Sequence, residues 1–332
     1  MKTSFSAACA ILWDLAKETW RVSYTLFKLM VPILILVKAL EELGAFPYIN
    51  LVFQPLMSLV GLPESMGLVW TTTLLTNMYG GMIVFFQLAA TEQLTVAQVT
   101  VLATLLLMAH SLPVEVRIVQ KAGVRFPAAL LTRLLGALLL AMLMNAIYTL
   151  GDFHQEPVKL LWSPQSGEQT LIQWAWDQIQ SMVMIVFIIG GLLGFLRFLR
   201  FVGIERLMIR LLQPLLRFLG IGPEATSLTI IGVTLGLSFG GGLLIQESRA
   251  GHISDRDIFL SLTLLGLCHS MIEDTLLALM MGADISGVLW LRLAFGLCVV
   301  ALVARLPLLN HKGFRARYLV STAKFRPHSA KS

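Results

Sequence analysis

Residues 109–115, with the sequence AHSLPVE, return 159 positions later as CHSMIED at residues 268–274. The stretches before them repeat as well. QPLMSLVGLPES at 54–65 corresponds to QPLLRFLGIGPEA at 213–225, and the glycine-rich residues 79–81 correspond to 239–241. The matches keep the same order over about 100 residues and are offset by single-residue gaps only, which is the signature of an internal repeat. The chain therefore contains two copies of one unit.

The composition predicts that both copies lie in a membrane. Of 332 residues, 57% are hydrophobic and 13% are charged, whereas soluble domains have roughly half and a quarter. A helix that crosses a bilayer needs about 20 mostly apolar residues. Six stretches supply them, namely 22–40, 95–114, 127–150, 181–199, 256–281 and 287–308. We expect an all-α integral membrane protein with six crossings.

The distribution of basic residues predicts that the two copies are inverted relative to one another. Lys and Arg mark cytoplasmic loops. They collect in the loop 116–126 of the first copy, whereas the aligned loop 280–287 has none. The loop 91–95 lacks them, and the aligned segment 248–257 carries two arginines. Inverted repeats are a common construction of secondary transporters, and each copy then needs an odd number of crossings.

Each repeat is expected to contain about three spanning helices, one interfacial helix and one re-entrant hairpin. The interfacial helices would be 48–60 and 204–219, and the hairpins would be 66–90 and 226–248. The chain divides into an amphipathic segment (1–20), the first repeat (21–150), an external linker (151–177), the second repeat (178–308) and a basic tail (309–332). We expect a multi-pass protein of the cell inner (plasma) membrane with both termini in the cytoplasm. A homo-oligomer is compatible with this arrangement.

Glycines mark the expected tips of the hairpins, at 77–81 and 238–242. Glycine lets the backbone leave helical geometry, and unwound backbone at membrane depth is tolerated only where protein or a water-filled cavity covers it. The alternative is that these glycines only permit close helix packing.

Polar residues within the apolar stretches predict a binding site, because such residues are costly in a membrane and usually face a functional interior. His269 and Glu273 are four residues apart, so a continuous helix would place them on one face. Backbone at the hairpin tips and the two His-Ser segments would together bind solute or coupling ions. The candidate residues are Asn77, Gly80, Gly81, Gln87, His110, Ser111, Glu115, Ser238, Gly240, Gly241, Gln246, Glu247, His269, Ser270, Glu273 and Asp274. The alternative metal site would use His110, Glu115, His269, Glu273 and Asp274.

Other chemistry is not indicated by the sequence. It contains no GxxxxGK[ST], HExxH or GxSxG motif, so we expect neither an enzyme nor a cofactor. The three cysteines lack CxxC spacing. The net charge of +6 is explained by cytoplasmic loops, so the lipid bilayer and a small polar solute or ion are the expected partners, and nucleic acid is not.

These motifs resemble the nucleoside recognition, or Gate, domain of bacterial and archaeal membrane proteins. The resemblance covers about 40–150 and 185–308 and rests on the PL-xx-LG-xPE entry, the glycine-rich tips and the AHSLPVE and CHSMIED segments. Similar domains occur in spore maturation membrane proteins, in the permease part of ferrous iron transport protein B and in concentrative nucleoside transporters. The resemblance implies a transporter-like core with inverted repeats and substrate-binding hairpin tips.

The leading hypothesis is a transporter of a small polar, nucleoside-like solute that works by alternating access and is coupled to protons or ions. One alternative is a divalent metal cation permease, with Cys268 as a further candidate ligand. Another is a membrane scaffold or assembly factor without transport activity.

Overall fold

The computed structural model describes residues 2–44, 46–89, 92–160 and 170–321. Residues 161–169 of the predicted linker and 322–332 of the predicted tail lie outside this part, and so do the side chains of residues 2–11. Within it the chain is helical and forms only two isolated β-bridges. The long helices are α1 (Lys2–Glu42), α2 (Phe46–Leu59), α3 (Met66–Leu75), α4 (Met78–Ala89), α5 (Val96–Met108), α6 (Leu112–Lys121), α7 (Phe126–Gly151), α8 (Leu171–Val202), α9 (Ile204–Phe218), α10 (Pro223–Arg249), α11 (Asp255–Cys268), α12 (Glu273–Met280) and α13 (Arg292–Arg305). A π-helical turn, Ser286–Leu291, leads into α13, and α14 (Lys312–Phe314) is a short turn near the end.

Several of these helices are long and apolar enough to cross a membrane. Among the described residues they are 126–151, 171–199, 255–280 and 286–305, and the bent pair α5 and α6 makes a fifth when it is taken as one span. Five of the six predicted crossings are thus found as apolar helical segments. The sixth, 22–40, lies inside the 41-residue helix α1 together with the predicted segment 1–20. The predicted interfacial segments form α2 and α9.

The helices α5 and α11 form the centre of the molecule. In α5, 11 of 13 residues are buried, and in α11 the run from Ile258 to Cys268 is buried throughout. A helix that is apolar on all sides is buried in a protein core or spans a membrane, and these two are covered by other helices. Helix α5 packs against α7, α3 and the π-helical turn, while α11 packs against α10, α13 and α7.

Both central helices stop inside this core. Pro113 is expected to bend or break the helix that begins near residue 95, and α5 does end just before it, whereas the end of α11 corrects the prediction of a continuous crossing at 256–281. Helix α5 ends before Ala109–Ser111 and α11 before His269–Ile272. Ser111 and Ser270 adopt left-handed backbone conformations, with φ of 48° and 46°, and such residues interrupt a helix. The predicted shared helix face of His269 and Glu273 is therefore wrong, because the break separates them. Pro113 lies in the first turn of α6, where its missing N–H costs little.

The break in the first predicted hairpin includes Asn77 of the predicted tip, whereas the break in the second lies outside the predicted tip 238–242. Helices α3 and α4 separate at Thr76 and Asn77, and α10 kinks at Gly236, where φ is 74° and ψ is 173°. Gly80 and Gly81 are helical instead. A Cβ atom on Gly81 would lie 1.8 Å from Thr73 Oγ1. The alternative interpretation, close helix packing, therefore holds for Gly81.

Replacing Gly81 with Ala is expected to destabilise the protein by about 1–3 kcal/mol, as overpacking does. The matched control is Gly242→Ala, since a Cβ there would meet no atom of the described residues within 4 Å. Thermal unfolding in detergent should show a lower midpoint for Gly81→Ala than for the control. Adding Thr73→Ala should restore part of the loss. Equal midpoints for the two single variants would contradict this packing.

Candidate functional site

The two predicted histidines meet at the centre of the molecule. His110 follows the end of α5, His269 follows the end of α11, and their Nε2 atoms are 3.0 Å apart. The side chains are 5% and 0% exposed. The helix breaks place them there, because both rings lie directly beyond the last turn of a central helix.

The other ring nitrogens determine what the Nε2 atoms can do. His110 Nδ1 lies 3.0 Å from the carbonyl oxygen of Leu106, and His269 Nδ1 lies 2.9 Å from that of Leu265. A carbonyl oxygen only accepts hydrogen bonds, so we assign the ring proton to Nδ1 in both residues. Neutral rings would then direct two bare Nε2 lone pairs at each other. The close approach therefore requires a cation between or on the rings, either a proton or a metal ion.

Two carboxylates converge on the same point. The two oxygens of Glu115 lie 3.5 Å from His110 Nε2 and 3.3 Å from His269 Nε2. Asp274 Oδ2 lies 3.7 Å from His110 Nε2. All these groups accept hydrogen bonds when the acids are ionised, which strengthens the requirement for a cation.

Two buried arginines lie beside this cluster, and they occupy corresponding positions of the two repeats. Arg133 Nε donates to the carbonyl of Met108 at 3.0 Å, and Arg292 Nε donates to that of Leu267 at 3.0 Å. Arg292 also donates to the carbonyl of His269 at 2.8 Å. The last carbonyls of a helix lack partners within the helix, and a cation there also complements the helix dipole. The arginines therefore stabilise the two interrupted helix ends.

The two halves of the cluster differ in one respect. Glu115 accepts a hydrogen bond from Arg133 Nη1 at 2.5 Å. Asp274, its counterpart, is one methylene shorter. Its Oδ2 atom and the Nη1 atom of Arg292 are both buried and have no hydrogen-bond partner among the described residues. The second half therefore offers a carboxylate oxygen that no protein donor occupies.

The predicted serines connect the cluster to the hairpins. Ser111 Oγ donates to the carbonyl of Thr76 at 2.5 Å, next to the break between α3 and α4. Ser270 lies against Gly236, because a Cβ on this glycine would be 2.3 Å from Ser270 Oγ. Both serines thus contact a helix break inside one of the predicted hairpin segments.

Glu273 lies at the edge of the cluster and is half-buried. Its carboxylate accepts a hydrogen bond from Tyr79 Oη at 3.1 Å. Tyr79 also lines a cavity of about 210 Å³ between α4, α8 and α12, whose walls are mainly apolar and include Phe86 and Met184. Glu273 and Tyr79 thus lie between this cavity and the buried histidines.

The remaining predicted residues have other partners. Asn77 Oδ1 accepts from the Gly80 N–H at 3.0 Å, and Gln87 donates to Gln178 at 2.8 Å. The other five positions belong to α10. Gln246 is exposed, Glu247 lies 3.9 Å from His252, Gly241 packs against Ile118, and the surroundings of Ser238 and Gly240 lie outside the described residues. None of the contacts found here includes a residue of the His cluster.

Sequence reasoning missed Arg133, Arg292 and Tyr79. The signal for the arginines was present, because each interrupts an apolar stretch and they are 159 positions apart, as His110 and His269 are. An ionisable residue inside such a stretch is a functional candidate in its own right. Tyr79 gave no comparable signal.

These features define a multi-pass, all-α membrane protein with a buried cluster of ionisable residues. Its sequence is similar to the uncharacterized membrane protein YvoD of Bacillus subtilis (strain 168), with 25% identity over 291 residues, which cover 86% of this chain and 91% of that protein. No family model matches the chain, and no solved structure matches it. The resemblance to the Gate domain therefore stays a prediction.

Replacing Arg133 with Met is expected to destabilise the protein by roughly 3–5 kcal/mol, because Glu115 would keep a buried charge without its partner. The double variant Arg133→Met with Glu115→Gln should be more stable than the single variant, since it removes both charges. The exposed Arg117→Met serves as the control and should change stability by less than about 0.5 kcal/mol. Thermal unfolding in detergent measures all three. A double variant that is less stable than Arg133→Met would contradict this ion pair.

Proposed function

We propose that this protein is a membrane transporter of a small polar solute and that its transport is coupled to a cation held by the His cluster. The observation that carries this proposal is the pair of Nε2 atoms 3.0 Å apart, with both Nδ1 atoms bound to carbonyls. A structural histidine pair would normally have a donor opposite an acceptor. Here acceptors face acceptors in a buried place, so the empty arrangement is unfavourable and a cation is favoured.

The proposed architecture is a pair of inverted repeats. The matching roles of Ser111 with Ser270, and of Arg133 with Arg292, support two copies of one unit, and the loop charges support their opposite orientation. We accordingly place both termini in the cytoplasm and the chain in the plasma membrane. The proposed repeats span 21–150 and 178–308.

Helix lengths support re-entrant hairpins in both repeats. Helices α3 and α4 have 10 and 12 residues, so they are about 15 and 18 Å long, whereas the hydrocarbon core is about 30 Å thick. Gly236 divides α10 into two pieces of about 20 Å each. Each hairpin would thus enter and leave on one side of the membrane.

The cluster links cation binding to the hairpins. Ser111 and Ser270 join the His segments to the hairpin breaks, so a change of charge at the histidines alters the surroundings of both hairpins. The cavity beside Tyr79 would receive the solute. Its apolar walls suit a flat ring, and the Tyr79–Glu273 pair suits a hydroxyl or amino group, as a nucleoside-like solute would present. Alternating access would then expose the cavity to each side in turn.

The second candidate function is a divalent cation permease, in which the cation is the cargo. It is favoured by one observation: ligand atoms of His110, His269 and Asp274 all lie within 4.8 Å of one another. In either case we propose a transporter without a cofactor and without enzymatic activity.

Binding and uptake measurements test the proposal. Thermal stabilisation against nucleosides and nucleobases comes first, because a ligand at 100 times its dissociation constant adds roughly 2.7 kcal/mol. Uptake of each hit into proteoliposomes then follows. We expect saturable uptake that falls at least about tenfold in His269→Gln, because the cluster would lose one of its two cation-binding rings. Uptake should persist in His154→Gln, which alters a histidine in the linker.

Two results would contradict a solute transporter. Uptake that is equal in His269→Gln and His154→Gln would separate transport from the cluster. No uptake of any hit by a monodisperse, folded protein would favour the membrane scaffold.

A further inference from the structure

We propose that His110, His269 and Asp274 form a transition-metal site with at least one open coordination position. This inference rests on the proposed cation-binding role of the cluster and names the cation. It requires only the three side chains, whose potential ligand atoms are buried and lie within 4.8 Å of one another.

The donor atoms are already prepared for a metal ion. The two Nδ1 atoms donate to backbone carbonyls, and such a bond to the second ring nitrogen orients a metal-binding histidine and determines its tautomer. Both Nε2 lone pairs therefore face the same space. Asp274 Oδ2 adds a buried oxygen that has no hydrogen-bond partner in the described part of the chain.

The distances agree with metal coordination. For metal–nitrogen bonds of about 2.05 Å, an Nε2 separation of 3.0 Å corresponds to an N–metal–N angle of about 94°. Widening this angle to the tetrahedral value requires the rings to separate by only about 0.3 Å. Asp274 Oδ2 lies 3.7 Å from His110 Nε2, and the three potential ligand atoms are up to 4.8 Å apart. Asp274 must therefore move inward by about 1 Å or more to share one metal ion with both histidines.

The donor set determines the kind of metal. Imidazole nitrogens suit zinc, copper, iron and nickel, whereas magnesium and calcium prefer oxygen ligands only. Glu115 is already engaged by Arg133 at 2.5 Å, so we assign it to orientation and charge balance. Two histidines and one carboxylate leave positions for water or for a donor atom of the solute.

Charge balance gives Glu273 a supporting role. The formal charges of Arg133, Arg292, Glu115 and Asp274 cancel, so a divalent ion adds positive charge to a buried site. Glu273, which begins α12 beside Asp274, supplies the nearest further carboxylate and is held by Tyr79. Glu273→Gln should therefore weaken metal binding without removing a ligand.

Metal binding to the purified full-length protein tests this site. The protein is prepared without a polyhistidine tag, and Zn²⁺, Co²⁺, Mg²⁺ and Ca²⁺ are titrated while bound metal is measured by mass spectrometry. We expect one equivalent of Zn²⁺ or Co²⁺ and no Mg²⁺ or Ca²⁺. Bound Co²⁺ should also give visible ligand-field absorption that reports imidazole coordination.

Variants separate a ligand role from a structural one. Asp274→Asn keeps the shape of the side chain and is expected to raise the dissociation constant for Zn²⁺ at least about tenfold, with thermal stability and monodispersity retained. The double variant His110→Ala with His269→Ala should no longer bind the one equivalent of Zn²⁺. His154→Ala is the matched control, because His154 also lies beside a carboxylate, 3.6 Å from Asp284. This variant should bind Zn²⁺ as tightly as the unaltered protein does.

The outcomes are distinguishable from those for transport. Equal Zn²⁺ binding by the double His variant and the control would overturn the metal site. The transporter proposal would still stand in that case if uptake is coupled to protons. One equivalent of Zn²⁺ that depends on Asp274, together with no uptake of any solute or metal, would establish the metal site and contradict the transporter.

Discussion

Two helices that stop inside an apolar core create the constraint on which this structure depends. The last carbonyls of α5 and α11 have no partners within their helices, and such groups are expensive to bury unpaired. Arg133 and Arg292 donate to these carbonyls. The arginines bring positive charge into the core, which explains why carboxylates lie beside them. The helix breaks therefore require the buried arginines, and the arginines in turn require the carboxylates of the cluster.

The sequence predicted the class of fold because composition and apolar length are strong signals in a membrane protein. It also predicted that His110 and His269 belong together, since they occupy equivalent places in two repeats. It predicted a bend or break near Pro113 in the first repeat, but not the break after α11 that brings His269 into contact with His110. A stretch of 26 residues such as 255–280 is apolar enough to span a membrane, and nothing local shows that Ser270 adopts a left-handed conformation. That conformation depends on packing against Gly236, which is distant in sequence.

Glycines misled the sequence interpretation for a related reason. Glycine both permits unusual backbone and allows helices to approach closely, and the sequence alone does not separate these roles. At Gly81 the close approach to Thr73 decides in favour of packing. At Gly236 the positive φ decides in favour of a break. Gly236 corresponds to Thr76 in the first repeat, where the chain also leaves the helix, so the two breaks lie at equivalent positions of the repeats.

The difference between Glu115 and Asp274 favours the proposed cation site over a purely structural ion-pair network. In a fully paired network each carboxylate would meet its arginine, and the buried charges would serve only to hold the helix ends. Glu115 does meet Arg133, but Asp274 is one methylene shorter and keeps a free oxygen opposite His110. A buried carboxylate without a donor is unfavourable unless something else binds it. Glu115 is thus engaged by Arg133, while Asp274 keeps an oxygen without a hydrogen-bond partner in the described part of the chain, and this asymmetry supports the proposed cation site.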